Sequence, residues 1–341
     1  MLETIGVQEW DAAAGLTDLN LSALRGYLAD PDVFEVRINK YRQVVCDTVK
    51  GRIFHDDPAI TEQYVASLLG HLLHINQLDL GPINNVQLPD GSRCIFCLPP
   101  AVIEGTTLVC IRKHLPVSKS LEELRDEGRF EGVVHKKLAD QFELKPFEKQ
   151  LLKYLDEGDI VSFNRLAVMN HLNIAVAGAT GSGKTTYTRT LLREVPPEER
   201  VILLEDVHEV DVTHLDEVGY MLYGDQAGRL SARAALKACM RLSPDRIFMT
   251  ELRDEAAWDY LSMSNTGHPG GIFSTHADSA TSTPLRVATL VKESKSGAHL
   301  DWEVIMKTVT SAIDVVIFME KRQVKEILYD PIGKRRALSV I

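Results

Sequence analysis

The sequence predicts an α/β protein in which a smaller α+β domain precedes a larger domain built on a parallel sheet. Its 341 residues exceed the usual length of a single domain. Apolar residues make up 45% of the chain and charged residues 25%, as in folded globular proteins. In the second half, apolar runs typical of strands alternate with helical stretches, and this order favours parallel strands covered by helices on both faces.

The N-terminal part combines strand patterns with one helix pattern. Val33–Ile38 and Gln43–Val49 are valine-rich runs on either side of a polar turn, which predicts a hairpin. Thr61–Ile75 carries leucine and valine at spacings of three and four, which predicts an amphipathic helix capped by its first threonine. Two further strands are expected at Arg93–Leu98 and Thr107–Arg112.

A charged segment separates the two predicted domains. It is broken by Pro116, Gly128 and Pro146 and has no sustained apolar face, so we interpret it as a linker. The predicted division is residues 1–113 for the N-terminal α+β domain, 114–149 for the linker and 150–341 for the C-terminal domain.

The C-terminal part alternates between the two kinds of pattern. The expected strands are Leu172–Ala177, Val201–Glu205, Arg246–Glu251, Gly271–Thr275 and Val315–Glu320. The expected helices are Phe147–Asp156, Ser231–Leu242 and Ala256–Ser264.

A glycine-rich loop follows the first of these strands. The segment GATGSGKTT contains the pattern GxxxxGK[ST], in which backbone amides and a lysine surround phosphate groups. An apolar run before it and a helix-compatible run, Thr186–Glu194, after it provide the strand and helix that this pattern requires. We therefore predict that ATP is bound, with Mg²⁺ on Thr185, by Gly178, Ala179, Thr180, Gly181, Ser182, Gly183, Lys184, Thr185 and Thr186.

Carboxylates follow two other predicted strands, where ligands of open α/β sheets are bound. Glu205, Asp206 and Glu209 follow one strand, and Glu251 ends another. A carboxylate there either holds a Mg²⁺-bound water or orients the water that attacks the terminal phosphate. We count Glu251, Glu205 and Glu209 as catalytic candidates, and Glu205 and Asp206 as magnesium candidates. The alternative is that these acids cap helices.

A second glycine-rich segment, TGHPGGIFSTHAD, leads into a strand that ends in a histidine. His276 can sense the γ-phosphate or donate a hydrogen bond into the site, so it is a further catalytic candidate. The alternative is a structural histidine at a strand end.

Charge and cysteine content restrict the other classes of function. The net charge of -10, with no concentrated basic patch, disfavours direct nucleic-acid binding. Cys94 and Cys97 lack the second pair that a zinc site needs, and the five cysteines fit a reducing cytosol. No apolar run approaches the roughly 18 residues of a membrane span, and the N-terminus shows no secretory signal, so we expect a cytoplasmic protein.

Together the motifs resemble those of the secretion ATPase superfamily, which drives type II and type IV secretion and pilus assembly. GATGSGKTT resembles its Walker A loop, LLEDVHEV its acidic box, LSPDRIFMTELRDEAAW its Walker B segment and TGHPGGIFSTHAD its histidine box. The last two are most similar to the VirB-type traffic ATPases of type IV secretion and plasmid conjugation.

The resemblance implies a RecA-like P-loop NTPase domain at the C-terminus and a ring of six subunits with ATP between the two domains. It implies a peripheral position on the cytoplasmic face of the inner membrane, beside secretion-system components that include coupling and other ATPases. LPDGSRCIFCLPP and LVCIRKH place Arg93 and Arg112 where family arginines reach the nucleotide phosphates, which makes both catalytic candidates. The implied function is a hexameric ATPase that powers substrate transfer or pilus assembly.

Two differences from the superfamily pattern bear on this interpretation. The four-cysteine zinc insert of the pilus-extension and type II branch is absent, which favours the traffic branch. The Walker B segment lacks the usual aspartate before its glutamate, so the identity of the carboxylate that activates water stays open.

Other functions remain as alternatives. They are a pilus-retraction or type II secretion ATPase, a nucleic-acid translocase with the same core, and an assembly platform that only binds ATP. A GTPase switch is excluded because Asn39-Lys40-Tyr41-Arg42 precedes the loop and ends in arginine, where a guanine-selecting motif requires aspartate.

Overall fold

Two β-sheets organise the computed structural model, which describes residues 21–114, 119–135, 137, 142–224 and 229–339. The N-terminal sheet has six strands and the C-terminal sheet has seven. Pro116, which was expected to interrupt the linker, lies outside the described residues. No described helix is both long enough and apolar enough to cross a bilayer.

The N-terminal sheet is antiparallel between all its neighbouring strands, in the order β3-β2-β1-β6-β5-β4. Its strands are β1 (Val33–Ile38), β2 (Gln43–Thr48), β3 (Gly51–Asp56), β4 (Ile83–Gln87), β5 (Arg93–Cys97) and β6 (Leu108–Arg112). Two helices accompany it, α1 (Arg25–Ala29) and α2 (Glu62–Asn76).

The predicted hairpin and helix of this region are confirmed. Helix α2 begins after Thr61, whose hydroxyl accepts a hydrogen bond from the amide of Tyr64 at 3.1 Å. Strands β3 and β4 were not predicted. Most side chains of β3 are at least partly exposed, and β4 contains two asparagines, so neither shows an alternating apolar pattern.

The C-terminal sheet has the order β13-β12-β7-β11-β10-β8-β9 and is parallel except for the hairpin of β12 and β13. Its strands are β7 (Ile174–Gly178), β8 (Arg200–Glu205), β9 (Glu217–Leu222), β10 (Arg246–Met249), β11 (Ile272–Thr275), β12 (Val315–Glu320) and β13 (Gln323–Leu328). The predicted parallel sheet is therefore confirmed. Strand β10 ends two residues before the predicted end, so Glu251 lies in the loop beyond it.

Helices pack on both faces of this sheet, as predicted. They are α4 (Pro146–Glu157), α5 (Ile160–Met169), α6 (Lys184–Leu192), α7 (Ala232–Cys239), α8 (Asp254–Ser264), α9 (Thr283–Glu293), α10 (Trp302–Ala312) and α11 (Pro331–Ser339), preceded in the chain by the short α3 (Leu121–Asp126). Ile174 and Val176 of β7 face α4, α5 and α6, whereas Ala175 and Ala177 face the layer that contains α7 to α10. This alternation follows from the two-residue period of a strand. The limits proposed for the linker stay a prediction.

The N-terminal sheet packs directly against the C-terminal part of the chain. Ile95, Cys97, Leu108 and Cys110 share a buried apolar cluster with α7 and with Met221 of β9. The other face of the same strands packs in the separate N-terminal core that contains α2. The amide of Leu222 in β9 also donates to the carbonyl of Ala101 at 2.8 Å.

A buried cluster of charged side chains crosses this contact. Arg37 of β1, Arg200 of β8 and Glu217 of β9 have no solvent exposure. Arg37 donates to the carboxylate of Glu217 from Nη2 at 3.0 Å and from Nε at 2.7 Å. Arg200 donates to the same carboxylate. Burial works to raise the pKa of Glu217, but Arg200 and Arg37 outweigh it and lower this pKa to about 2.

We predict that Glu217→Gln lowers the free energy of unfolding by roughly 3–5 kcal/mol at pH 7, because the buried guanidinium of Arg200 loses its carboxylate partner and that of Arg37 keeps only Glu35 and Asp47. Because the pKa of Glu217 is depressed on folding, the carboxylate stabilises the fold above about pH 5 and loses this effect as the pH falls towards 2. Urea denaturation of both proteins between pH 7 and 3 should therefore show a difference that shrinks with acidification. Glu157→Gln removes an exposed pair with Lys153 and is the control, with an expected change below about 0.5 kcal/mol. Equal losses in the two variants would contradict the prediction.

Candidate active site

The glycine-rich loop connects the end of β7 to the start of α6. We call Gly178–Thr185 the P-loop. Three of its glycines have positive φ angles, 149° at Gly178, 74° at Gly181 and 97° at Gly183. Residues with a Cβ adopt such angles only at a cost, so the glycines allow the backbone to curl and to turn its amides inward.

Close packing fixes the two ends of the P-loop. A Cβ on Gly178 would lie 2.2 Å from the carbonyl oxygen of Met319 in the neighbouring strand β12. At the other end, Gly183 precedes α6 and provides no side chain to cap the helix. The first amides of α6 therefore remain available for an anion, which the helix dipole also favours.

Lys184 lies at the base of this loop and is 8% exposed. Its ammonium donates to the carbonyls of Gly178 at 2.8 Å and Ala179 at 2.9 Å. Burial lowers the pKa of Lys184, and the charge of Glu251 opposes that shift. The hydroxyl of Ser182 is also buried and has no hydrogen-bond partner among the described residues. Thr185 and Thr186 follow in the first turn of α6, half-buried and exposed respectively.

Glu251 and His276 lie at the same edge of the sheet as the P-loop. The carboxylate of Glu251 accepts from Arg253 at 2.9 Å, and its other oxygen is 3.4 Å from Nε2 of His276. Burial works to raise the pKa of Glu251, but Arg253, His276 and Lys184 outweigh it, so this pKa lies below its ordinary value. Glu251 is therefore an ionised carboxylate at neutral pH, within the electrostatic range of the P-loop lysine.

Arg253 connects two of the predicted acids. Besides Glu251, its guanidinium donates to Asp206 at 3.3 Å, so the loops after β8 and β10 meet through one side chain. From the sequence, Arg253 is one of three arginines around this strand, with Arg241 and Arg246, that could stabilise transition-state charge, and the sequence does not distinguish between them. The available signal was its position in the loop that follows this strand, two residues after Glu251, because loops at the carboxyl ends of parallel strands share one edge of the sheet.

The three acids after β8 point in different directions. Glu205 is fully buried, and one oxygen accepts from the amides of Glu209 at 3.1 Å and Val210 at 2.9 Å. The other oxygen is 2.8 Å from Nδ1 of His208. Glu205 therefore closes its own loop, whereas Glu209 is exposed and lies 3.9 Å from Arg189 on α6. Only Asp206 joins the group around Glu251.

Arg93 and Arg112 lie at the opposite edge of the C-terminal sheet from the P-loop. Arg112 contacts Ser243 at 2.6 Å and Glu35 at 3.2 Å. Ser243 precedes β10, so it marks the edge at which the parallel strands begin, and the P-loop lies where they end. Arg93 is exposed and pairs directly with Arg112 across β5 and β6. Within one chain, the structure does not bring either arginine to the P-loop.

An open cleft of about 590 Å³ adjoins the P-loop. Its polar lining includes Thr180, His276, Asp278, Ser282 and Arg286. Sequence reasoning missed the last three because they lie in a loop and on the first turns of α9, a helix that was not predicted.

The fold and the site define the class of protein. A P-loop at the carboxyl edge of a parallel sheet, with an ionised glutamate after a strand two positions away, is the arrangement of a P-loop ATPase. Comparison with known proteins narrows this class.

The family model described as "Type II/IV secretion system protein" matches residues 54–326. The type IV secretion system protein VirB11 of Brucella suis biovar 1 (strain 1330) is 32% identical over an alignment of 342 positions. This alignment covers 96% of this chain and 93% of the relative. VirB11 of Bartonella henselae (strain ATCC 49882) is 33% identical over 95% of this chain and 96% of its own length. The crystal structure of the VirB11 ATPase from the Brucella suis type IV secretion system, in complex with sulphate, superimposes with a TM-score of 0.89 at 31% identity, covering 97% of this chain and 99% of that one. The chain belongs to the type II/IV secretion system protein family.

We predict that Gly178→Ala destabilises the protein more than Gly181→Ala. Both positions have positive φ angles, which cost about 1–2 kcal/mol for alanine, but only at Gly178 does the new methyl group meet backbone, at 2.2 Å. That clash adds roughly 1–3 kcal/mol. Gly181 has no atom within 4 Å of the position and serves as the matched control. Chemical denaturation without nucleotide measures the difference, and equal destabilisation would show that Met319 does not confine the P-loop.

Proposed function

We propose that this chain is a hexameric ATPase that hydrolyses Mg-ATP to power substrate transfer or pilus assembly by a type IV secretion system. One observation carries the proposal: Glu251 and His276 lie 3.4 Å apart at the edge of the sheet where the P-loop holds its buried lysine. The similarity to VirB11 proteins over nearly the whole chain supports the secretion role.

ATP binds, in this proposal, over the start of α6. The amides of the P-loop and the first turn of α6 surround the phosphates, and Lys184 lies beneath them with its charge. The buried hydroxyl of Ser182, which has no hydrogen-bond partner in the described part of the chain, is consistent with a site that binds a polar ligand.

The residues around the P-loop also fit Mg²⁺, which prefers oxygen ligands and keeps several of its waters. The hydroxyl of Thr185 is the proposed direct ligand, and Asp206 and Glu251, which Arg253 joins, are the proposed acceptors for metal-bound water. Glu205, a magnesium candidate from the sequence, fits less well because both its oxygens already accept hydrogen bonds from its own loop. When bound, Mg²⁺ supplies positive charge to the terminal phosphates.

Glu251 is the proposed residue that orients and activates the attacking water. Its lowered pKa keeps it able to accept a hydrogen bond, and Arg253 holds its orientation from the side. His276, 3.4 Å from the same carboxylate, is the proposed sensor of the γ-phosphate. Glu205 and Glu209 remain weaker candidates because neither faces this group.

We predict that Lys184→Ala and Glu251→Gln separate binding from hydrolysis. Lys184→Ala should weaken Mg-ATP binding more than tenfold, because a charge-assisted contact to phosphate is lost. Glu251→Gln should bind Mg-ATP nearly as tightly as the unaltered protein but hydrolyse it roughly 10²-fold or more slowly.

Calorimetric titration and steady-state phosphate release measure the two effects. Glu303→Gln, on the exposed face of α10, is the control and should leave both unchanged. Full hydrolysis by Glu251→Gln would transfer the catalytic role to another acid, and Glu205→Gln and Glu209→Gln would then identify it.

Arg93 and Arg112 complete the site of a neighbouring subunit in this proposal. Directly opposed like charges destabilise a sheet, so their pairing across β5 and β6 favours a surface that meets an anion. A five-residue strand spans about 17 Å, which separates these arginines from the P-loop of their own chain. In the proposed ring, the N-terminal sheet of one subunit lies near the P-loop of the next.

We predict that Arg93→Ala lowers kcat by roughly 10³-fold without changing the unfolding transition. Mixing this variant with Lys184→Ala should restore part of the activity. Each mixed ring would contain intact P-loops that receive Arg93 from a Lys184→Ala neighbour. Phosphate release across a series of mixing ratios measures this recovery. If Arg93 served its own chain, no ratio would restore activity.

The proposed location is the cytoplasmic face of the inner membrane, as a peripheral protein in contact with the secretion machinery and its other ATPases, including the coupling ATPase. The absence of a membrane-spanning helix among the described residues is compatible with this position. The net charge of -10 disfavours direct contact with nucleic acid.

A further inference from the structure

The turn between β12 and β13 lies beside the P-loop and has an unusual sequence. Glu320 pairs with Gln323, so Lys321 and Arg322 form a two-residue hairpin turn. Both have positive φ angles, 49° and 64°. Such turns usually contain asparagine and glycine, which adopt this conformation at little cost.

This turn is attached to the P-loop by its backbone. The amide of Arg322 donates to the carbonyl of Ser182 at 3.1 Å. The Cα of Arg322 lies 3.5 Å from the position of a Cβ on Gly183, the residue before α6. Arg322 is therefore fixed next to the helix end at which phosphate is proposed to bind.

No interaction within the described part of the chain explains why Lys321 and Arg322 occupy this turn. Both are exposed, and neither makes a hydrogen bond or an ion pair with the part of the chain that the structure describes. Two basic residues in a strained conformation are a departure from local turn preferences, and such departures concentrate at functional sites. The buried hydroxyl of Ser182, also without a described partner, independently indicates a polar ligand beside this turn.

We propose that the guanidinium of Arg322 binds a phosphate group of the nucleotide and acts as a second cation beside Lys184. This inference rests on the proposed function, because it requires nucleotide in the P-loop. Arginine suits the task, since its planar fork donates two hydrogen bonds to phosphate oxygens. The hairpin then contributes one backbone contact to the loop and one side-chain contact to the ligand.

Substitution by asparagine tests the side chain alone, because asparagine tolerates the same backbone angles and keeps the amide that contacts Ser182. Arg322→Asn should weaken Mg-ADP and Mg-ATP binding by about tenfold or more, because charge-assisted hydrogen bonds to phosphate are lost. Lys321→Asn is the matched control, with the same charge change in the same turn, and should alter binding less than twofold. Thermal unfolding checks that both variants fold, and Arg322→Gly replaces Arg322→Asn if the latter does not.

Calorimetric titration distinguishes the outcomes. Selective weakening by Arg322→Asn supports the contact, whereas unchanged binding overturns it. Equal weakening by both asparagine variants also overturns it, because a general loss of positive field would then explain the effect. If the unaltered protein failed to bind Mg-ADP and Mg-ATP, the proposed function itself would fail and this inference with it.

Discussion

The P-loop keeps its shape because β12 leaves no space for a side chain at Gly178. The carbonyl of Met319 occupies the position that a Cβ would need, and the following hairpin turn donates an amide to the same loop. Lys184 adds two hydrogen bonds from within. A loop held in this way presents its amides without further rearrangement, and such preorganisation is what an electrostatic site for phosphate requires.

Different groups of residues lie at the two edges of the parallel sheet. At the carboxyl edge, loops from β8 and β10 meet through Arg253, which joins Asp206 to Glu251 beside the P-loop. At the amino edge, buried ion pairs join the N-terminal sheet to β8 and β9, and a shared apolar cluster extends this contact to α7 and Met221. Replacing part of a buried ion pair is costly, so this contact ties the two sheets of one chain together. The buried charges therefore lie at the amino edge, whereas the contact with the N-terminal part continues along β9 to Leu222 at its carboxyl end.

The N-terminal arginines lie at the amino edge of the C-terminal sheet. Arg112 lies against Ser243 at the amino edge and pairs with Arg93 on the next strand. Neither can approach its own P-loop while the buried charges hold the sheets together. The proposed ring, in which one subunit faces the phosphate site of the next, would reconcile this geometry with the proposed role of these arginines in hydrolysis.

The sequence by itself determined the parallel α/β core, the N-terminal hairpin and helix, and the location of the P-loop, because these depend on local periodicity and on residue types that few other structures require. It also indicated Glu251 and His276, since the ends of parallel strands share one edge. It did not distinguish between the acids at the end of β8. Only the tertiary structure showed that Glu205 accepts hydrogen bonds from its own loop, whereas Asp206 contacts Arg253. The place of Arg93 and the contact of Arg322 with Ser182 were likewise decided by packing between segments far apart in the chain, which no local pattern records.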